Sequence, residues 1–84
     1  MDFSGKTAIS TGAASGMGLL FAQNWAKLGG NAVLCDVNEA VLQEKVDEIN
    51  AQGGGRALGV ACDVRDYKQV ERACQAAYTT FGSL

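Results

Sequence analysis

Apolar and polar residues follow one another along the chain in six blocks, three with the spacing of strands and three with that of helices. Lys6-Thr7-Ala8-Ile9-Ser10-Thr11 is short, partly β-branched and followed by a glycine, which predicts a first strand. Ser10 stands out there, because a hydroxyl buried in a covered strand needs a partner or costs about 1–3 kcal/mol. From Gly16 to Leu28 the residues Met17, Leu20, Phe21, Trp25 and Leu28 fall at helical spacing, interrupted by Gln23, Asn24 and Lys27. Gly29-Gly30 stops that helix. Trp25 lies more than a turn inside it and is expected in the core.

Ala32-Val33-Leu34-Cys35 is apolar without alternation, as a parallel strand covered on both faces should be, and Asp36 ends it. Asn38 suits the cap of a second helix whose inner face is Leu42, Val46 and Ile49, broken by Gln52-Gly53-Gly54-Gly55. A third apolar run, Ala57 to Cys62, leads to Asp63 and repeats the Cys35-Asp36 step. Asp66 with Gln69 matches a capping box for a third helix carrying Val70, Ala73, Cys74, Ala77, Tyr78 and Phe81 on one face and terminated by Gly82.

The predicted order is β-α-β-α-β-α with short connections. Right-handed crossovers place such strands in one parallel sheet of order 3-2-1, half of a Rossmann-type doubly wound α/β fold, with the loops after each strand on a common edge. Open α/β sheets bind ligands on that edge, and it gathers Gly12 to Gly18, Asp36 and Asp63.

Composition narrows the field. The chain has 84 residues, enough for one domain (1-84), with 48% apolar residues, a net charge of −2 and no histidine or proline. Its seven lysines and arginines are scattered, which argues against a nucleic-acid partner. No apolar run approaches the roughly 20 residues of a membrane span, and the first residues lack the build of a signal peptide. The cytoplasm is the expected compartment. Cys35, Cys62 and Cys74 are odd in number and not in C-x-x-C spacing, so they are expected as free buried thiols, and no metal site is predicted.

Thr11-Gly12-Ala13-Ala14-Ser15-Gly16-Met17-Gly18 joins the first strand to the first helix. Glycines at 12, 16 and 18 let the backbone turn sharply, bring main-chain N–H groups close to a pyrophosphate and seat the helix on the sheet. The helix N-terminus adds orphan donors and the positive end of its dipole. The spacing is G-x-x-x-G-x-G rather than the common G-x-G-x-x-G, so the flanking strand, the helix and Asp36 carry the reading.

Gly5-Lys6 to Gly18, with Asp36 and Cys62-Asp63-Val64, resembles the N-terminal half of the short-chain dehydrogenase/reductase family over essentially the whole chain. That resemblance implies that Gly12, Gly16, Met17 and Gly18 bind the cofactor pyrophosphate, Asp36 the adenosine ribose, and Asp63 with Val64 the adenine. Ser10 departs from the family, which usually carries an aliphatic residue there. Asp36 also suits the start of the second helix, and Asp63 with Asp66 the start of the third.

A carboxylate at 36 accepts from ribose hydroxyls and repels a 2′-phosphate. Family members that use NADP often carry a basic residue at the positions held here by Ser15 and Val37, so NAD is expected over NADP. The family's catalytic Asn, Ser and Tyr-x-x-x-Lys are not matched: Tyr67 is followed at the fourth place by Glu71, and Tyr78 by Gly82. The resemblance therefore implies a cofactor-binding portion that stops before a fourth strand and is inactive alone. The alternative is a non-catalytic nucleotide-binding or self-assembling module complete at 84 residues. If the chain stops there, the outer edge of the first strand, bearing Ile9, is expected to drive self-association or else partial disorder, and NAD is expected to bind weakly, on the order of 0.1–1 mM, because contacts to half the cofactor are missing.

Overall fold

A computed structural model describes residues 3–82. It contains β1 (Thr7–Thr11), α1 (Gly16–Lys27), β2 (Asn31–Asp36), α2 (Glu39–Gln52), β3 (Ala57–Ala61) and α3 (Tyr67–Phe81). The strands form one parallel sheet with β2 between β1 and β3, in the predicted order. Ile9 lies beside Val33, and Val33 beside Leu58.

β2 has a neighbour on either side and is covered above and below, which is why its sequence shows no alternation. Leu34 enters the core under α1 and α2 with Leu42, Val46 and Ile49, and Val33 and Cys35 enter the core on the α3 face with Cys62, Ala73 and Ala77. Asn50 of α2 ties down the start of β3, accepting from the Ala57 N–H at 2.8 Å and donating to its carbonyl at 3.1 Å.

The stripe Met17, Leu20, Phe21 and Leu28 is not the face of α1 that meets the sheet. Ala22 and Ala26 are buried there, whereas Met17, Leu20, Phe21 and Leu28 are exposed. The fully buried side chains of α1 are these two alanines, and Leu19 packs against the same core at its margin. Trp25 does pack against the core; it stacks between Phe3 and Phe21, and its indole N–H donates to the Asn31 carbonyl at 3.0 Å.

The start of α3 also differs in detail. Asp66 caps it by accepting from the Lys68 N–H at 3.0 Å, but Gln69 does not reach back to the Asp66 backbone. Its amide donates to the Asp66 carboxylate and accepts from the Asp63 N–H at 2.8 Å, so it joins the helix to the loop before it. β3 ends at Ala61, one residue short of the apolar run, and the Cys62 N–H closes the β2–β3 ladder by donating to the Asp36 carbonyl at 2.9 Å.

Candidate nucleotide site

The loop from β1 to α1 turns on Gly12 and Gly16, whose φ angles of 61° and 64° lie in the left-handed region that side chains avoid. Gly18 acts differently. A Cβ on it would meet the carbonyl oxygens of Thr11 at 2.7 Å and Gly12 at 2.8 Å, so its bareness allows the first turn of α1 to rest on the end of β1. Ser10 fastens the same seam: its hydroxyl donates to the Gly18 carbonyl at 2.8 Å, which supplies the partner that its burial demanded.

First-turn amides of a helix have no acceptor within it, and the N-cap, Ser15, takes none of them with its side chain. Two of the preceding amides are committed. Ala13 donates to the Cys35 carbonyl at 3.0 Å and Ala14 to Asp36 Oδ2 at 3.1 Å. Gly16, Met17 and Gly18 thus present the donors suited to a phosphate, reinforced by the helix dipole.

Asp36 is fixed by the main chain. Its Oδ1 accepts from the Asn38 N–H at 3.0 Å while Oδ2 accepts from Ala14, and these two amides, Asn38 foremost, hold its carboxyl below the usual carboxylate range. The residue is not the cap of α2. Asn38 caps it, accepting from the Val41 N–H, and this frees Asp36 to brace the loop between β1 and α1.

Asp63 is fixed by Arg65, through its main-chain amide and its guanidinium together. Oδ1 accepts from the Arg65 N–H at 2.9 Å and from Nε at 3.0 Å, and Oδ2 accepts from Nη2 at 2.8 Å. The Arg65 guanidinium, followed by its backbone amide, brings the Asp63 carboxyl down to about 2. The Asp63 carbonyl meanwhile accepts from the Asp66 N–H, so its backbone serves the turn into α3, as its carboxylate does through the Arg65 N–H.

A cleft of about 300 Å³ lies at the carboxyl edge of the sheet, lined by Gly12, by Asp36 and Val37, and by Asp63, Val64 and Arg65. Five of the residues singled out from sequence therefore share one wall, and Ser15, Gly16, Met17 and Gly18 form the loop beyond Gly12. Arg65 and Ala14 were not foreseen. Neither carried a signal in the sequence: Arg65 reads there as a solvated cation, and Ala14 contributes only its amide. A larger cleft of about 370 Å³ lies at the amino end of β3, but there Asn50 is engaged with Ala57, and Arg56 sits 5.3 Å from the centre of the Phe81 ring.

Behind the cleft Cys35 and Cys62 are buried, and burial foremost, with Cys62 beside it, pushes the Cys35 thiol up to about 12. Such a thiol is a packing group. Among the described residues no cluster suits a metal ion, and no helix is long and apolar enough to cross a membrane.

The profile of the short chain dehydrogenase family matches residues 6–84. A diacetyl reductase, (S)-acetoin forming, from Staphylococcus epidermidis is 44% identical over 79 residues, which are 94% of this chain and 30% of the relative. A short chain dehydrogenase/reductase from Burkholderia phymatum, solved in complex with NAD, superposes with a TM-score of 0.90 at 43% identity, over 98% of this chain and 29% of its own. L-sorbose reductase from Gluconobacter frateurii, solved with NADPH and L-sorbose, gives 0.88 at 34% identity, over 96% and 31%. The chain thus spans about 30% of the length of the curated relatives it matches.

Proposed function

The chain belongs to the short-chain dehydrogenase family, and from that premise we propose that it is the dinucleotide-binding portion of an oxidoreductase acting on an alcohol or carbonyl, with NAD as its cofactor. The observation that carries this reading is the placement of Asp36. It is an ionised carboxylate locked to the phosphate loop through Ala14 and opening on the same cleft as Val37 and Val64. The amides of Gly16, Met17 and Gly18 would hold the pyrophosphate, Asp36 the adenosine ribose, and Asp63 and Val64 the base. When bound, the nicotinamide supplies a site for hydride exchange.

NAD is favoured over NADP because a 2′-phosphate would face the Asp36 charge, with a serine at 15 and a valine at 37 offering no cation to offset it. Titration with NAD and NADP tests this. NAD is expected to bind on the order of 0.1–1 mM and NADP at least about tenfold more weakly; tighter binding of NADP would refute the assignment. Residues 1–84 hold no Tyr-x-x-x-Lys pair, so the chain alone is expected to bind cofactor without oxidising secondary alcohols. Turnover by this chain would show that a different proton-transfer group is at work.

The reading extends to self-association. β1 has no strand on its outer side among the described residues, and Met17, Leu20 and Phe21 are exposed on the helix that follows it. Light scattering should find a dimer or larger species, and a monomer at high concentration would count against it. Three free cysteines suit a reducing compartment, so the reading places the chain in the cytoplasm.

A further inference from the structure

The valines of the cleft have no packing role: Val37 is 70% exposed and Val64 54%. Two exposed valines beside a carboxylate suit a flat ring with a polar rim better than they suit water. What the carboxylate can still accept is countable. An ionised carboxylate offers about four acceptor positions, two on each oxygen. Arg65 fills both on Oδ1, through its amide and Nε, and one on Oδ2, through Nη2.

We propose that Arg65 is a positioning residue for base selectivity: it leaves Asp63 a single acceptor position, on Oδ2, for one N–H of a purine 6-amino group lying against Val37 and Val64. The proposal rests on the nucleotide reading of this cleft and deepens it. A 6-oxo purine presents an oxygen at the same place and meets a carboxylate that cannot donate. Arg65 itself is 87% exposed and needs no contact with the ligand. Without its guanidinium the carboxylate keeps only the residue-65 amide on Oδ1, and water can fill the two vacated positions. The low pKa of Asp63 agrees with this picture, because the group stays an acceptor throughout the neutral range.

AMP and IMP separate the cases, since they share ribose and phosphate and differ in the 6-substituent. NMR titration of the backbone amides of the intact 84-residue chain should show AMP binding about tenfold tighter than IMP. Arg65→Met, which keeps the stem, should cut that ratio to about threefold or less with IMP affinity unchanged; Arg65→Lys should restore part of it. Asp63→Asn should remove the preference too, and the double variant should lose no more than either single one, as expected of residues acting as a unit. A merely structural role would weaken both nucleotides alike. An unaltered AMP-to-IMP ratio in Arg65→Met, or equal binding of the two by the native chain, overturns the proposal and leaves the nucleotide site standing. Failure of the native chain to bind AMP, IMP and NAD alike overturns the nucleotide reading and the proposal with it.

Discussion

Cys-Asp-Val occurs twice, at 35–37 and at 62–64, each time at the carboxyl edge of the sheet, and the two copies secure their carboxylates by different means. Each accepts on Oδ1 from the main-chain amide two residues on, Asn38 or Arg65; Asp36 is held besides by the Ala14 amide of the β1–α1 loop, and Asp63 by the exposed guanidinium of Arg65. Backbone donors keep their places as long as the fold stands, whereas a long side chain on the surface gives up rotamer freedom to stay put. The same tripeptide therefore makes a rigid brace in one loop and an adjustable contact in the other. Their thiols and valines match in both copies, buried behind and exposed in front, so the difference comes from what surrounds each step.

Breaking the seam beneath both copies should have the largest effect. Gly18→Ala drives a Cβ onto the carbonyls of Thr11 and Gly12. Overpacking of this kind costs typically about 1–3 kcal/mol, and the displaced first turn carries the anion donors, so thermal unfolding should occur earlier and NAD binding should fall below detection. A Gly18→Ala chain that binds NAD normally would show the close approach to be unnecessary.

Asp36→Ala comes next. It strands the buried Ala14 amide, at a cost of about 1–3 kcal/mol, and should weaken NAD at least tenfold in the same titration. Retention of affinity would mean that the ribose is held elsewhere.

The thiol behind Asp36 offers a smaller, pH-dependent test. Its pKa is raised from 9.0 to about 12 on folding, so the neutral form is favoured in the native state. Stability from this source is full below pH 9 and is lost as the pH climbs from there toward 12. Urea unfolding at pH 8 and pH 10.5 should show an alkaline loss in the native chain that is reduced in Cys35→Ala. Equal losses would place the titration in other groups.

Asp63→Ala should do least to stability. The carboxyl is depressed to about 2, so any contribution is present above about pH 4 and lost only as the pH falls toward 2. Because the pair is solvent-screened, the unfolding midpoint at neutral pH should not move, and a clear shift would show Asp63 to be a brace like Asp36.

Much of this was legible in advance. The unbroken apolar run of β2 announced a covered central strand, glycines marked the loop, and Asp36 closed the second strand where a ligand edge was expected. Asn38 could be picked as a cap because its short side chain competes for exposed amides. What escaped notice depended on distances between elements. A stripe of large residues on α1 looks like an inner face, yet the residues it buries fully are Ala22 and Ala26. Gln69 fitted a capping pattern but bridges two neighbours instead, a choice that depends on how the preceding loop lies. Arg65 looked like any solvated cation, since no spacing rule records a guanidinium folding back on the residue two before it.

Those alanines have a mechanical consequence. Positions 22 and 26 work as shims, setting the height at which a rod lies on a plate, and the rod's tip carries the amides of the proposed site. Thickening a shim far down the rod would tip it and swing those amides away, so the proposed nucleotide affinity should be open to detuning from beneath the helix.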